Sequence, residues 1–219
     1  MVRRLAEKSW NGTSGPVVAL MLLGALLGAS CGGIPKTYYH TLRSPSPPAP
    51  SDPRTNFRLG VEHFRAPAML RDDRIVYYES PTEMNYYQYH RWGADPATLL
   101  SEYVVDWVSG MGIFVQVRML PTREPVDYTL SGRVVNFEEV DYEGEGRGRV
   151  GLELWLVRTR DRKVVWSTRR LVETPIQEKG MAGVVNALNA SCTQLLREEF
   201  PGLLAQIGQD YKASQGQSP

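Results

Sequence analysis

The feature that most constrains this chain is an apolar segment near its start. Residues 16–27 form an uninterrupted, largely apolar run of 12 residues, which follows the basic residues Arg3, Arg4 and Lys8. Twelve residues are too few to cross a hydrocarbon core as a permanent helix, but they match the apolar region of an export signal. Residues 1–30 are therefore predicted to be a signal peptide, so a folded domain must be built from residue 31 onward.

Small residues and a cysteine come directly after this run, in the stretch Gly28-Ala29-Ser30-Cys31. The stretch resembles the lipobox of bacterial lipoproteins, with Gly28 at the position where leucine is usual. The resemblance implies cleavage after Ser30, a diacylglycerol on the sulfur of Cys31, and a further acyl group such as palmitate on the new amino terminus. Two alternatives stay open: an ordinary secretory signal that leaves Cys31 as a free thiol, and an uncleaved anchor.

Composition bounds the mature chain. Without the first 30 residues, 189 of the 219 remain, which is enough for one core-forming domain. They carry 22 basic and 23 acidic residues, and this near-neutral balance gives no basic patch for nucleic acid. The second cysteine, Cys192, lies among aliphatic residues at helical spacing, which predicts a small buried hydrophobe.

The order of segments predicts one folded domain behind a tether. Residues 31–56 are predicted to be a lipidated amino terminus and a tether, because the proline-rich residues 44–53 favour extended polyproline II and would space the domain from Cys31. Within the tether, residues 36–42 are aromatic enough to add a short edge strand. Residues 57–211 are predicted to form the domain, and residues 212–219 a disordered tail.

Periodicity predicts the elements of that domain. Asp95 and Pro96 begin a helix that Gly110 and Gly112 end, and a second helix covers residues 179–200, with Pro201-Gly202 separating it from a short amphipathic piece. Alternation predicts strands at residues 57–64, 74–79, 84–92, 113–117, 128–140, 149–159 and 163–172. The predicted fold class is α+β: a single domain with a mixed, mostly antiparallel sheet and two main helices on one face.

The sequence offers little for catalysis. His40, His63 and His90 have no metal-ligand spacing, and no nucleophile motif or phosphate-binding loop occurs. The acidic stretch 138–148 lacks the spacing of a calcium loop and is predicted to be a solvated loop. We therefore expect a protein that is not an enzyme and has no metal and no cofactor beyond the covalent lipid on Cys31.

Three stretches carry a resemblance to the ABC-type transport auxiliary lipoprotein (PqiC-like) family. They are Tyr38-Tyr39-His40-Thr41-Leu42, then Leu70-Arg71-Asp72 followed by Arg74-Ile75-Val76-Tyr77-Tyr78, and finally Asn85 to Trp92 leading into the first helix. The resemblance implies a lipoprotein that faces the periplasm and serves an envelope phospholipid-transport system. Its implied partners are an MCE-type substrate-binding protein and the subunits of an inner-membrane ABC transporter. Gly32, where aspartate would favour inner-membrane retention, favours the outer membrane.

An aromatic cluster is the candidate partner surface. It comprises Tyr86, Tyr87, Tyr89 and Trp92, and simple alternation places Tyr87 and Tyr89 on one face. Such residues either pack against a helix or form an exposed contact surface, since aromatic residues are frequent in interface hot spots. A different function stays open: a lipoprotein regulator that binds a cell-wall synthesis enzyme. The sequence also leaves self-association as a homo-oligomer open.

Overall fold

The structure, a computed structural model, describes residues 35–44, 55–142 and 144–215. The predicted signal peptide, Ser30 and Cys31 lie outside these residues, as do most of the proline-rich segment and the last four residues. Among the described helices, none is long and apolar enough to cross a membrane.

The described residues form eight strands and two α-helices. In chain order these are β1 (Tyr38–His40), β2 (Arg58–Val61), β3 (Arg74–Ser80), β4 (Glu83–Trp92), α1 (Pro96–Met111), β5 (Gln116–Met119), β6 (Tyr128–Val140), β7 (Arg147–Arg158), β8 (Lys163–Pro175) and α2 (Met181–Gln215). This arrangement confirms the predicted α+β class.

Strand β6 organises the sheet. One edge of β6 pairs along its length with β7 in an antiparallel ladder, and β7 pairs in the same way with β8. The other edge pairs in parallel with β2 at its beginning and with β3 at its end. Strand β2 continues to β5, and β3 continues through the antiparallel β4 to β1. The long pairings are thus antiparallel and the short ones parallel.

Helix α1 begins as the sequence predicts. The Asp95 carboxylate accepts hydrogen bonds from the backbone N–H of Thr98 at 3.1 Å and from its hydroxyl at 2.7 Å, and Pro96 occupies the first turn. The helix ends at Gly112, whose φ of 63° is the left-handed conformation that glycine adopts without strain.

Helix α2 differs from the prediction at its carboxyl end. It continues through Pro201 to Gln215, whereas the sequence predicts a break at Pro201-Gly202 and a disordered tail from residue 212. Proline removes one helical hydrogen bond, but Leu203 and Ile207, two and six residues further on, are buried in the core. Burial of this apolar face outweighs the local cost, so residues 212–215 are helical.

Both helices cover the same face of the sheet. Helix α1 packs against β5 and β6, helix α2 against β7 and β8, and the two meet where the hydroxyl groups of Tyr103 and Thr193 lie 2.7 Å apart. The core between the layers is apolar, and it includes Leu130, Val134, Leu152, Leu154, Leu156, Leu188, Cys192 and Leu195. The buried, unpaired Cys192 confirms its predicted role as a small hydrophobe.

Two predicted strands are displaced. Strand β2 ends at Val61 and does not reach Phe64, because the backbone N–H of Phe64 donates to the Ser101 hydroxyl of α1 at 2.8 Å. Strand β5 begins at Gln116, three residues later than predicted. These strands are short and lie at the side of the sheet where packing against α1 decides their ends.

Strand β1 lies at Tyr38–His40, within residues 36–42 of the tether, and confirms the short edge strand that the sequence predicts there. Its three residues pair in parallel with His90, Arg91 and Trp92 of β4. The proline-rich residues therefore come after β1 in the chain and connect it to β2.

Candidate functional site

A polar cavity of about 730 Å³ opens beside the end of β6. Its wall is formed by Tyr87 and His90 of β4, by Glu139 of β6, and by Asp141 and Gly146 just beyond it. The segment that leads into α2 closes the other side, through residues 176–181 and Val184. Three parts of the chain that are distant in sequence thus meet around one recess.

Close packing of α2 on β7 positions this cavity. A Cβ atom at Gly148 would lie 2.6 Å from the backbone nitrogen of Leu188, so the helix backbone approaches the strand as closely as a glycine allows. The Ser191 hydroxyl, buried in the same contact, donates to the Gly148 carbonyl at 2.8 Å. Gly180 has a φ of 80° at the turn into α2. The first turn of α2 is thereby held next to Glu139.

Glu139 and Tyr87 form the central polar contact. The Tyr87 hydroxyl donates to Glu139 Oε2 at 2.5 Å, and the Glu139 residue is 8% exposed. Burial raises the pKa of the Glu139 carboxyl and the charge of Asp141 raises it further, while the Tyr87 hydrogen bond lowers it. Burial and the neighbouring Glu139 also raise the pKa of the Tyr87 hydroxyl. The Tyr77 ring packs 4.8 Å from that of Tyr87.

A histidine pair joins the cavity to β1. His40 Nε2 and His90 Nδ1 lie 3.0 Å apart, so one ring nitrogen donates to the other. Tyr38 stacks on His90 with ring centroids 5.4 Å apart, and the Tyr87 ring meets His90 edge-on with centroids 6.1 Å apart. Burial lowers the pKa of His40, and the charge of a protonated His90 lowers it further.

Of the four aromatic residues that the sequence singles out, Tyr87 lines the cavity. Tyr86 lies under the Arg74 guanidinium at 3.7 Å, Tyr89 is 38% exposed, and Trp92 is 1% exposed against Phe137. Trp92 therefore presents no surface to a partner. Simple alternation does not hold along β4, because its pairing with β3 is irregular between Arg74 and Val76. This irregularity is a β-bulge or a similar defect of the ladder.

Glu139 is the residue that sequence reasoning misses. The acidic stretch 138–148 is predicted to be a solvated loop, but Glu138 and Glu139 belong to β6 and are buried. Glu138 points to other partners: it accepts from the side chain of Asn136 at 2.7 Å and from the backbone N–H of Phe137 at 2.7 Å. The sequence does offer a sign of this burial, because the strand predicted for residues 128–140 already includes Glu138 and Glu139. Residues inside a paired strand are less exposed to solvent than residues of a loop.

The contact between the two histidines could not be predicted from their local spacing in the sequence either. His40 and His90 are 50 positions apart, and a parallel pairing of a three-residue strand brings them together. Among the described residues, no group of three or more histidine, cysteine, aspartate or glutamate side chains is placed to hold a metal ion.

A second, more apolar cavity of about 570 Å³ lies at the carboxyl end of α2. Its apolar wall includes Phe57, Ile113, Leu204, Ile207 and Tyr211. The end of the helix is held there by Asp210, which accepts from the Tyr128 hydroxyl at 2.9 Å and pairs with Arg158.

Comparison with known proteins identifies the family of this chain. Residues 40–198 match the family model described as ABC-type transport auxiliary lipoprotein component. The match covers most of the chain and nearly all of the described domain, so the protein belongs to this family.

Solved structures agree on the fold. Protein XCC0632 from Xanthomonas campestris is 24% identical, with a TM-score of 0.71 over 81% of this chain and 99% of that chain. A second crystal structure, of an uncharacterized protein, is 19% identical, with a TM-score of 0.62 over 77% of this chain and 99% of that chain. The PelC dodecamer from Paraburkholderia phytofirmans is 16% identical over 71% of this chain and 94% of that chain, and its TM-score of 0.42 is too low to support a conclusion about assembly. No curated protein gives a significant match.

Proposed function

We propose that this protein is a non-catalytic accessory of an ABC-type envelope transporter for phospholipid-like molecules, anchored by lipid on Cys31. The observation that carries the proposal is the family match, which begins at His40, nine residues after the predicted lipidation site. Two or more acyl chains make membrane anchoring durable, whereas one gives marginal binding. Confinement at a membrane would raise the effective concentration of the domain for partners in the same envelope. Outer-membrane placement, facing the periplasm, is part of the proposal.

The polar cavity is the proposed docking point for an MCE-type protein or a transporter subunit. In protein–protein interfaces, the side chains that contribute most of the binding energy are usually buried in well-packed pockets of the partner, and aromatic residues are frequent there. Glu139 lies buried in the wall with Tyr87 as its hydrogen-bond donor, and Asp141 adds a second carboxylate. These groups favour a basic side chain of the partner, because a cation would stabilise the ionised form of Glu139.

Site-specific photocrosslinking in intact cells tests this assignment. A photoreactive residue replaces Gln177, which is exposed at the cavity, and in the control it replaces Val164, which is 52% exposed on β8. We expect an MCE-type protein or a transporter subunit to be captured from position 177 and not from 164. Capture of a peptidoglycan synthase from position 177 would instead support regulation of cell-wall synthesis. Equal capture from both positions would remove the cavity from the proposal.

Intact mass of the membrane-extracted protein tests the anchor separately. The expected mass is that of residues 31–219 with a triacylated Cys31. A Cys31→Ala variant should lack the added mass of the lipid. An unmodified chain in the soluble periplasmic fraction would contradict the anchor and with it the proposed placement.

A further inference from the structure

The position of β1 in the chain limits how far the domain can stand from Cys31. Seven peptide steps separate Cys31 from Tyr38, and a fully extended chain of this length spans at most about 25 Å. Without β1 the first paired residue would be Arg58, and the same limit would be about 95 Å. Because β1 pairs with β4, the proline-rich residues come after the first point at which the chain joins the sheet. They therefore do not add to the distance between Cys31 and the domain, which the sequence predicts them to set.

Strand β1, the first paired strand after Cys31 in the chain, carries exposed aromatic residues. Tyr39 is 66% exposed, Tyr38 is 48% exposed, and Tyr89 on the adjoining β4 is 38% exposed. Tyrosine has an apolar ring and a polar hydroxyl, and it is enriched where membranes meet water because each part finds its preferred surroundings there.

Charge agrees with a lipid surface. Residues 37–44 contain the exposed Arg43 and no carboxylate. An exposed cation is attracted to an anionic leaflet. The carboxylates of the cavity, Glu139 and Asp141, belong to β6 and the residues just beyond it rather than to β1.

We propose that the β1–β4 edge, with Tyr39 and Tyr89, lies in the headgroup region of the membrane that holds Cys31. This inference rests on the proposed lipid anchor. It assigns a bilayer that contains anionic phospholipid as the partner of these tyrosines, and the polar cavity then opens beside the membrane surface rather than far from it.

Fluorescence quenching in vesicles tests the contact. The membrane-extracted, full mature protein is reconstituted in vesicles of phosphatidylethanolamine and phosphatidylglycerol that carry a nitroxide on the lipid headgroup. An environment-sensitive dye is attached at Thr41→Cys, which is exposed next to β1, and in the control at Val164→Cys, at the opposite edge of the sheet. Native Cys192 is 2% exposed and burial raises the pKa of its thiol, so it does not compete for the dye.

We expect quenching at position 41 to exceed that at position 164 by about threefold, since a nitroxide quenches only over short distances and β8 is separated from the membrane by the width of the sheet. Tyr39→Ser combined with Tyr89→Ser should reduce quenching at 41 toward the control value. Equal quenching at 41 and 164, or quenching at 41 that both serines leave unchanged, would overturn the inference.

The same sample separates the two proposals. Its intact mass shows whether Cys31 carries lipid before any fluorescence is recorded. A protein without lipid on Cys31 contradicts both the anchor and the membrane contact. A lipidated protein with equal quenching at the two dye positions contradicts the membrane contact alone.

Discussion

The two ends of the sheet are built by different means. At one end, β6, β7 and β8 are 12 to 13 residues long and form continuous antiparallel ladders, with Leu152, Leu154 and Leu156 buried beneath α2. At the other end, β1 has three residues, its tyrosines are exposed, and its side-chain contacts with β4 are the hydrogen bond between His40 and His90 and the stacking of Tyr38 on His90. Stability therefore resides in the ladder, whereas the short β1 can detach from β4 at a small cost.

The largest effect should come from the ladder. Leu154→Ala removes a fully buried side chain at the centre of β7 and should lower the free energy of unfolding by about 2–5 kcal/mol. Tyr39→Ala at the other end is the matched control and should change it by less than about 0.5 kcal/mol, because its side chain is exposed. Denaturant unfolding of both variants measures the contrast. Similar losses in the two variants would contradict the division of the sheet.

A second substitution, in the helix that packs on the ladder, should raise the free energy of unfolding rather than lower it. Pro201→Ala restores a helical hydrogen bond inside α2 and should raise the free energy of unfolding by about 1–3 kcal/mol. Thermal unfolding measures it. Gly208→Ala, which has no atom within 4 Å of the new Cβ, gives a comparison within the same helix and should gain up to about 1 kcal/mol. A loss of stability in Pro201→Ala would contradict the inference that Pro201 carries a net cost within the helix.

The same contrast explains what the sequence could predict. Long strands such as β6 and helix α1 carry many residues in one pattern, and an explicit cap at Asp95, so their type and bounds follow from local chemistry. The family resemblance also comes from such local stretches, and the match over residues 40–198 confirms it.

The site could not be predicted in the same way. Glu139, His40 and His90 acquire their environments from pairings between distant segments, and the irregular pairing of β4 with β3 interrupts the alternation of side chains along β4. Pro201 shows the related failure in a helix, because a local helix breaker is overruled by the burial of Leu203 and Ile207. Local propensity is weak wherever tertiary burial decides the outcome.

The buried carboxyl of the cavity predicts a pH dependence. The pKa of Glu139 is higher in the folded protein than in the unfolded chain, so the folded protein keeps the proton to higher pH. Its contribution to the free energy of unfolding is therefore lost as the pH rises from the ordinary carboxyl range through the raised pKa, by about 1.4 kcal/mol for each unit of pKa difference. Glu139→Gln should remove this loss, so the variant gains stability relative to the wild type as the pH rises.

Urea unfolding at several pH values measures that difference. Glu178→Gln changes an exposed carboxylate beside the same cavity and should leave the pH profile of the wild type unaltered. A profile of Glu139→Gln that runs parallel to the wild type would show that Glu139 is not the titrating group.

The smallest expected effect on stability comes from the pair His40 and His90. Its stability is lost as the pH falls, whereas that of Glu139 is lost as the pH rises. Burial and a charged His90 lower the pKa of His40 in the folded protein below 6.5, so the folded state binds fewer protons than the unfolded one. Stability from this site is present above the ordinary histidine pKa and is lost as the pH falls through the lowered value. Because the site links β1 to β4 alone, the loss should appear as detachment of β1 rather than as global unfolding.

Hydrogen exchange of the β1 amides, expressed as protection factors at pH 7 and pH 5, measures this detachment. In the wild type we expect protection of Tyr38–His40 to fall on the order of threefold at pH 5, while the β6–β7 ladder keeps its protection. His40→Gln cannot titrate in this range and retains a hydrogen-bonding side chain, so its β1 should lose no protection at pH 5. An acid-labile β1 in His40→Gln would assign the effect to other groups. A wild-type β1 that keeps its protection at pH 5 would contradict the prediction, and the β1–β4 end would then be firmer than its three residues suggest.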